Sequence, residues 1–167
     1  MFEFAEWLGS TPLSVAIQSR LWLTPLLQSI HILMMGVVFV SILTVALRVL
    51  GRIRTEESLA EVWHRLAPWF WSSLGMMAGT GLVLAIGEPV RQATALSFWL
   101  KMTLLAIGVA SALYFGRTVA AAGVAENTPP LRARIVAVAT VLLWLTIIFL
   151  GRSIAYDVEI WESWHLA

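Results

Sequence analysis

His31 stands in a stretch without formal charge, from Leu21 to Leu47, in which Gln28 is the other strongly polar break. A helix needs roughly 20 apolar residues to cross a bilayer core, so this stretch can span one. Ionisable side chains at such depth are costly and usually face the protein interior, which makes each of them a candidate functional group. Neutral imidazole ligates haem iron and other transition metals. Lys101 is a second embedded residue, inside another apolar run. A lysine there can pair with an anion or reach the membrane surface along its own stem.

Helical rise converts sequence offset into depth: His31 falls about 15 Å and Lys101 about 10 Å below the same membrane surface. Met76 and Met77, on a span running the opposite way, come out about 15 Å deep as well, level with His31. They belong to the segment Gly75-Met76-Met77-Ala78-Gly79-Thr80-Gly81, which gives its helix a face almost without side chains. Gly75 and Gly79 form a GxxxG pair, suited to close helix packing or to a flat wall against a planar macrocycle. Gly108 and Ser111 extend that small-residue character on the next span. Arg20, Arg91 and Arg152 ring the same edge. His165 lies beyond the last span on that side and could fold back as a ligand. His64 starts a span at the opposite edge, more than about 20 Å in depth from His31, and reads as a solvated cap beside Arg65.

A haem b explains several of these residues with one object. Its iron would be ligated by His31, with Met76, Met77 or His165 as further ligands. Its propionates would point toward Lys101, Arg91 or Arg152, and Gly75 and Gly79 would form the wall. The plain alternative for His31 is an interior histidine hydrogen-bonded to a threonine or a backbone carbonyl.

Four spans must position these groups, at about residues 21–46, 66–87, 94–116 and 135–156 by hydropathy and charge. The chain of 167 residues is 59% hydrophobic and 13% charged, against about 45–50% and about 25% for soluble domains. The expected architecture is all-α: a single integral membrane four-helix bundle over residues 1–167, with short interfacial segments at both termini. Period-2 alternation is absent, which argues against a β-barrel. Pro25 and Pro68 fall in the expected first turns of spans one and two, where a missing N–H is tolerated. Cysteine is absent, which excludes disulfides, iron–sulfur clusters and thiolate metal sites. A net charge of +1 gives no argument for nucleic acid. Glu3 and Glu6 speak against a cleavable signal peptide.

Phe2, Phe4, Trp7, Leu13, Ile17 and Trp22 are spaced for short helices lying at the membrane surface, and Ser10-Thr11-Pro12 reads as a break and restart. The tail Val158–Trp164 interleaves Trp161 and Trp164 with acids, as a headgroup-level anchor would. Arg48, Arg52, Arg54, Arg65, Arg117, Arg132 and Arg134 fall in the loops after spans one and three. The positive-inside rule therefore puts both termini on the periplasmic side of a bacterial inner membrane.

Two segments carry a family likeness. Ser29-Ile30-His31-Ile32-Leu33-Met34-Met35-Gly36 in span one and Phe98-Trp99-Leu100-Lys101-Met102 in span three resemble the HemJ and CopD-like bacterial membrane proteins. The resemblance to HemJ implies haem b held by His31, with Lys101 at the matching lysine, and an oxidase reaction on protoporphyrinogen. The chain departs from that pattern at Phe115, which follows Tyr114 where the family has a histidine, and at Leu131-Arg132-Ala133-Arg134, which stands where the family has an Asn-Glu-Pro type segment. The resemblance to CopD-like proteins implies copper handling, for which methionines suit Cu(I).

The expected function is that of a haem b protein. It would transfer electrons between a membrane quinone and an outer-side redox partner, or sense redox state, within the bilayer and as a homo-oligomer. No nucleophile or acid–base pair suggests a hydrolase. A copper or small-solute transporter would instead use Met34, Met35, Met76 and Met77 as a ladder with His31 as gate. A non-catalytic subunit of a larger membrane complex would use its glycine faces for packing.

Overall fold

The computed structural model describes residues 2–122 and 131–156, with side chains for 3–117 and 131–156. The side chain of Phe2, the connector at 127–130, the tail Val158–Trp164 and His165 lie outside the described residues. Among those described, every regular element is helical: α1 (Phe2–Gly9), α2 (Pro12–Gln18), α3 (Leu23–Val49), α4 (Leu59–Gly87), α5 (Pro89–Thr94), α6 (Leu96–Ala122), α7 (Leu131–Ser153) and a 3-10 turn, Ile154–Tyr156. Four helices are long and apolar enough to cross a membrane: α3, α4, α6 and α7. Leu33 (65% exposed), Leu82 (64%) and Phe149 (69%) are among many large apolar side chains on the outside. Water-soluble monomers rarely carry so continuous an apolar surface, and lipid covers it at no cost. The protein is a multi-pass, all-α membrane protein.

The helix ends correct the boundaries drawn from hydropathy. Span two begins at Leu59 rather than near residue 66, because Ser58 and Glu61 form a capping box. Ser58 Oγ accepts from Glu61 N at 3.2 Å, and the Glu61 carboxylate accepts from Ser58 N at 2.7 Å. Caps and hydrogen bonds end a helix, whereas apolarity marks only the part that sits in lipid. Pro68 consequently lies inside α4 and not in its first turn. Span three starts at Leu96, since Thr94 closes the separate short helix α5 and Ala95 is extended (ψ 116°). Span four starts at Leu131. The break at Ser10-Thr11-Pro12 falls as expected, with Pro12 opening α2 and Thr11 Oγ1 accepting from Ser14 N. At the end of α3, Gly51 takes a positive φ of 69°. Arg52 N then donates to Leu47 O at 2.9 Å and Gly51 N to Arg48 O at 3.0 Å, a Schellman stop.

The bundle end where α3 begins is called upper here, the opposite end lower. α3 packs most extensively on α4 and also on α7, and α7 packs on α6, while the α4–α6 contact is much slighter. Phe70, Trp144, Val38 and Ile147 are almost fully buried between them. On α4 the inward residues Phe70, Ser73, Met77, Thr80 and Gly87 follow a three-four spacing, the pattern of long helices packed at shallow angles. Between α6 and α7, large meets small at heptad intervals. A Cβ on Gly108 would lie 3.2 Å from Trp144, and one on Gly151 would lie 3.4 Å from Lys101 Nζ.

The N-terminal helices dock on protein and still keep an apolar outer face. Ser14, fully buried, donates to Ile86 O at 2.8 Å, and Ile17 packs onto Gly87. Phe4, Trp7, Leu13 and Trp22 remain about 60% exposed, at the level where amphipathic segments meet headgroups. Arg48, read from sequence as a loop cation, is only 2% exposed. Its Nε donates to Glu57 O at 2.8 Å, tying the end of α3 to the loop that leads into α4.

Candidate membrane histidine site

Two polar residues meet inside the upper half of the bundle. His31 lies about two turns into α3, and its Nδ1 is 3.0 Å from Thr80 Oγ1 on α4. Thr80 is 9% exposed and sits about as far below the end of α4. Its oxygen also lies 3.0 Å from Met76 O and 3.1 Å from Met77 O. A hydroxyl has one proton and two lone pairs, and a carbonyl can only accept. With Nδ1 protonated, the Thr80 hydroxyl donates to its own helix and accepts from His31, and the Nε2 lone pair is available; with Nε2 protonated, the hydroxyl donates to Nδ1 instead. The hydrogen bond expected of an ordinary interior histidine is thus present, but it occupies only one ring nitrogen.

Gly81 completes the seat. A Cβ there would lie 3.1 Å from His31 Cε1, tighter than nine in ten real contacts, and 3.6 Å from Nδ1, an ordinary contact. The imidazole therefore rests against bare backbone, and a side chain at this position would press the ring away from α4.

Lys101 enters from α6. Its stem runs along Gly151 of α7, and among the described residues Nζ has no hydrogen bond or ion pair. The residue is half-buried in the same upper half of the bundle.

The other sequence candidates are placed elsewhere. Met77 is 3% exposed within the core cluster, with Met34 and Met35 packed around it, whereas Met76 is 53% exposed on the outer face. Gly75 and Gly79 are also exposed, and a Cβ added to either would meet nothing within 4 Å, so they do not wall the His31 site. Arg91 is ion-paired with Glu88 at 2.7 Å. Arg152 stacks over the Tyr156 ring at 5.4 Å and donates to its hydroxyl at 3.3 Å. His64 is exposed near the lower end.

Thr80 and Gly81 were missed as site residues in the sequence. A signal was present: Ser73, Thr80 and Gly87 repeat at heptad spacing on α4, and the antiparallel register sets them opposite Val38, His31 and Thr24 of α3. A small or polar residue recurring at that interval in a membrane helix marks the face turned to a neighbour.

The described residues contain no group of three or more His, Cys, Asp or Glu side chains able to hold an ion. One imidazole and one lysine without a partner among the described residues are groups that a haem, which brings its own equatorial ligands and carboxylates, would use. Comparison with curated proteins and with solved structures finds no match. Residues 5–157 match a family of unknown function, DUF6644.

Proposed function

The chain belongs to the DUF6644 family, and we propose that this member is a haem b protein of the bacterial inner membrane, with both termini on the periplasmic side. The observation that carries the reading is the 3.0 Å contact between His31 Nδ1 and Thr80 Oγ1, which would accept the Nδ1 proton of a ligating imidazole. Ligating histidines characteristically give their second ring nitrogen to such a partner, which fixes the tautomer and the ring plane. His31 would hold the iron through Nε2, Gly81 would admit the ring against α4, and Lys101 would pair with a propionate. Bound haem supplies one-electron redox chemistry, which the protein tunes through ligand, charge and burial. Excluding water is the task of the apolar walls of α3, α4, α6 and α7. The role that follows is membrane electron transfer or haem-dependent redox sensing.

Copper transport draws less support. The methionines of the expected ladder diverge, Met76 outward and Met77 into the core. A structural subunit has one observation in its favour, the open Gly75–Gly79 face of α4, which a helix from a second copy or another protein could cover.

The test is a visible spectrum of the protein purified in mild detergent, oxidised and dithionite-reduced, with a pyridine haemochrome assay. A Soret band with sharp reduced α and β bands in wild type, and their loss in His31→Ala, is the expected result. A preparation that stays colourless after haem is supplied overturns the proposal.

A further inference from the structure

The α3–α4 seam that holds His31 opens, at its upper end, into a cavity of about 410 Å³. Thr24 of α3 and Gly87 of α4 line it together with Gln18, Glu88, Pro89 and Arg91. Thr24 and Gly87 sit one heptad above His31 and Thr80 on their respective helices. The cavity and the imidazole are therefore successive stations on one seam, about 10 Å apart.

The lining restricts what can occupy this space. Arg91 and Glu88 hold each other at 2.7 Å and offset each other's charge, which favours a neutral ligand while leaving a carboxylate oxygen to accept. Gln18 donates its amide nitrogen to Ser14 Oγ at 2.9 Å, which leaves its carbonyl oxygen as an acceptor. The Thr24 hydroxyl has no hydrogen-bond partner among the described residues, and the Glu88 carboxylate accepts at the rim. Gly87 and Pro89 contribute flat apolar surface. Acceptors and one hydroxyl around an apolar floor complement a small ring that carries hydroxyl groups. Val90, which also lines the cavity, is 41% exposed and offers an apolar exit for a tail.

We infer that this cavity binds the head group of a membrane quinol, its hydroxyls directed to Gln18, Thr24 and Glu88. The choice of a redox-active ring rests on the haem reading, whereas the neutral, hydroxylated and tailed character of the ligand rests on the cavity alone.

Decylubiquinol and decylubiquinone are titrated into the protein in phosphatidylcholine nanodiscs, with binding read by quenching of tryptophan emission. Saturable quenching is expected in wild type. Thr24→Leu, which removes the hydroxyl and fills the space, is expected to weaken binding about tenfold or more. Glu88→Gln keeps the shape and is expected to weaken the quinol more than the quinone, because only the quinol donates to the carboxylate. Non-saturable quenching, indistinguishable from partition into empty nanodiscs, overturns the inference. So does saturable binding that neither variant changes, or a tightly held phospholipid that blocks quinol in wild type. A missing Soret band would refute the haem proposal while leaving the quenching result to stand by itself.

Discussion

Replacing Thr80 by valine isolates the contact on which the haem reading depends. Valine has nearly the shape of threonine, so the packing of α3 on α4 is kept. The hydrogen bonds lost by Thr80 itself run to Met76 O and Met77 O of its own helix, and such back-bonding contributes little to a helix. What disappears is the hydroxyl 3.0 Å from His31 Nδ1, which in the haem reading accepts its proton. A half-buried donor left without its partner costs about 1–3 kcal/mol. Removing the orienting partner of a ligating histidine typically lowers affinity about 10–100-fold, and at about 1.4 kcal/mol per tenfold the two figures agree. Titrating apo-protein with haemin and following the Soret band should therefore give a Kd raised about 10–100-fold in Thr80→Val. Thr80→Ser, which restores the oxygen, should return close to wild type. Equal affinity in Thr80→Val and wild type refutes the orientation argument, as does Thr80→Ser binding no better than Thr80→Val.

Gly81→Leu should abolish haem binding while the protein remains folded, since even a Cβ at this position meets His31 Cε1 at 3.1 Å; haem content against circular dichroism checks it. Lys101→Ala should lower the reduction potential or speed haem loss in a competition with apomyoglobin, because a propionate left without its cation disfavours the reduced state; a variant unchanged in both assigns Lys101 to packing on Gly151 alone. Gly108→Leu should destabilise the bundle by about 1–3 kcal/mol, the usual range for overpacking, because its Cβ would already press Trp144 at 3.2 Å; thermal unfolding in detergent reads this. Gly79→Leu should leave haem content unchanged, as nothing lies within 4 Å of that position, and a change in the oligomer seen by light scattering would show that a second chain covers the face.

The sequence by itself determined the class of this protein, because hydropathy and length act locally. Uncharged runs long enough for a bilayer, the Thr11-Pro12 restart and the depth of His31 all follow from residue order and helical rise. The starts of α4 and α6 were also written locally, in Ser58 with Glu61 and in the extended Ala95, but in polar residues that a hydropathy reading passes over. What residue order left open was the rotation of each helix about its axis. In a soluble helix the apolar stripe marks the inward face. Lipid is as apolar as the interior, so α3, α6 and α7 carry almost no such stripe, and neighbours in sequence can part company. Met76 and Met77 share a depth but point about 100° apart, one to the outside and one into the core. For the same reason Gly75 and Gly79 turn away from His31, while Thr80 and Gly81 turn toward it. Only the packing of α4 against α3 decided which of these equally deep residues would meet the imidazole.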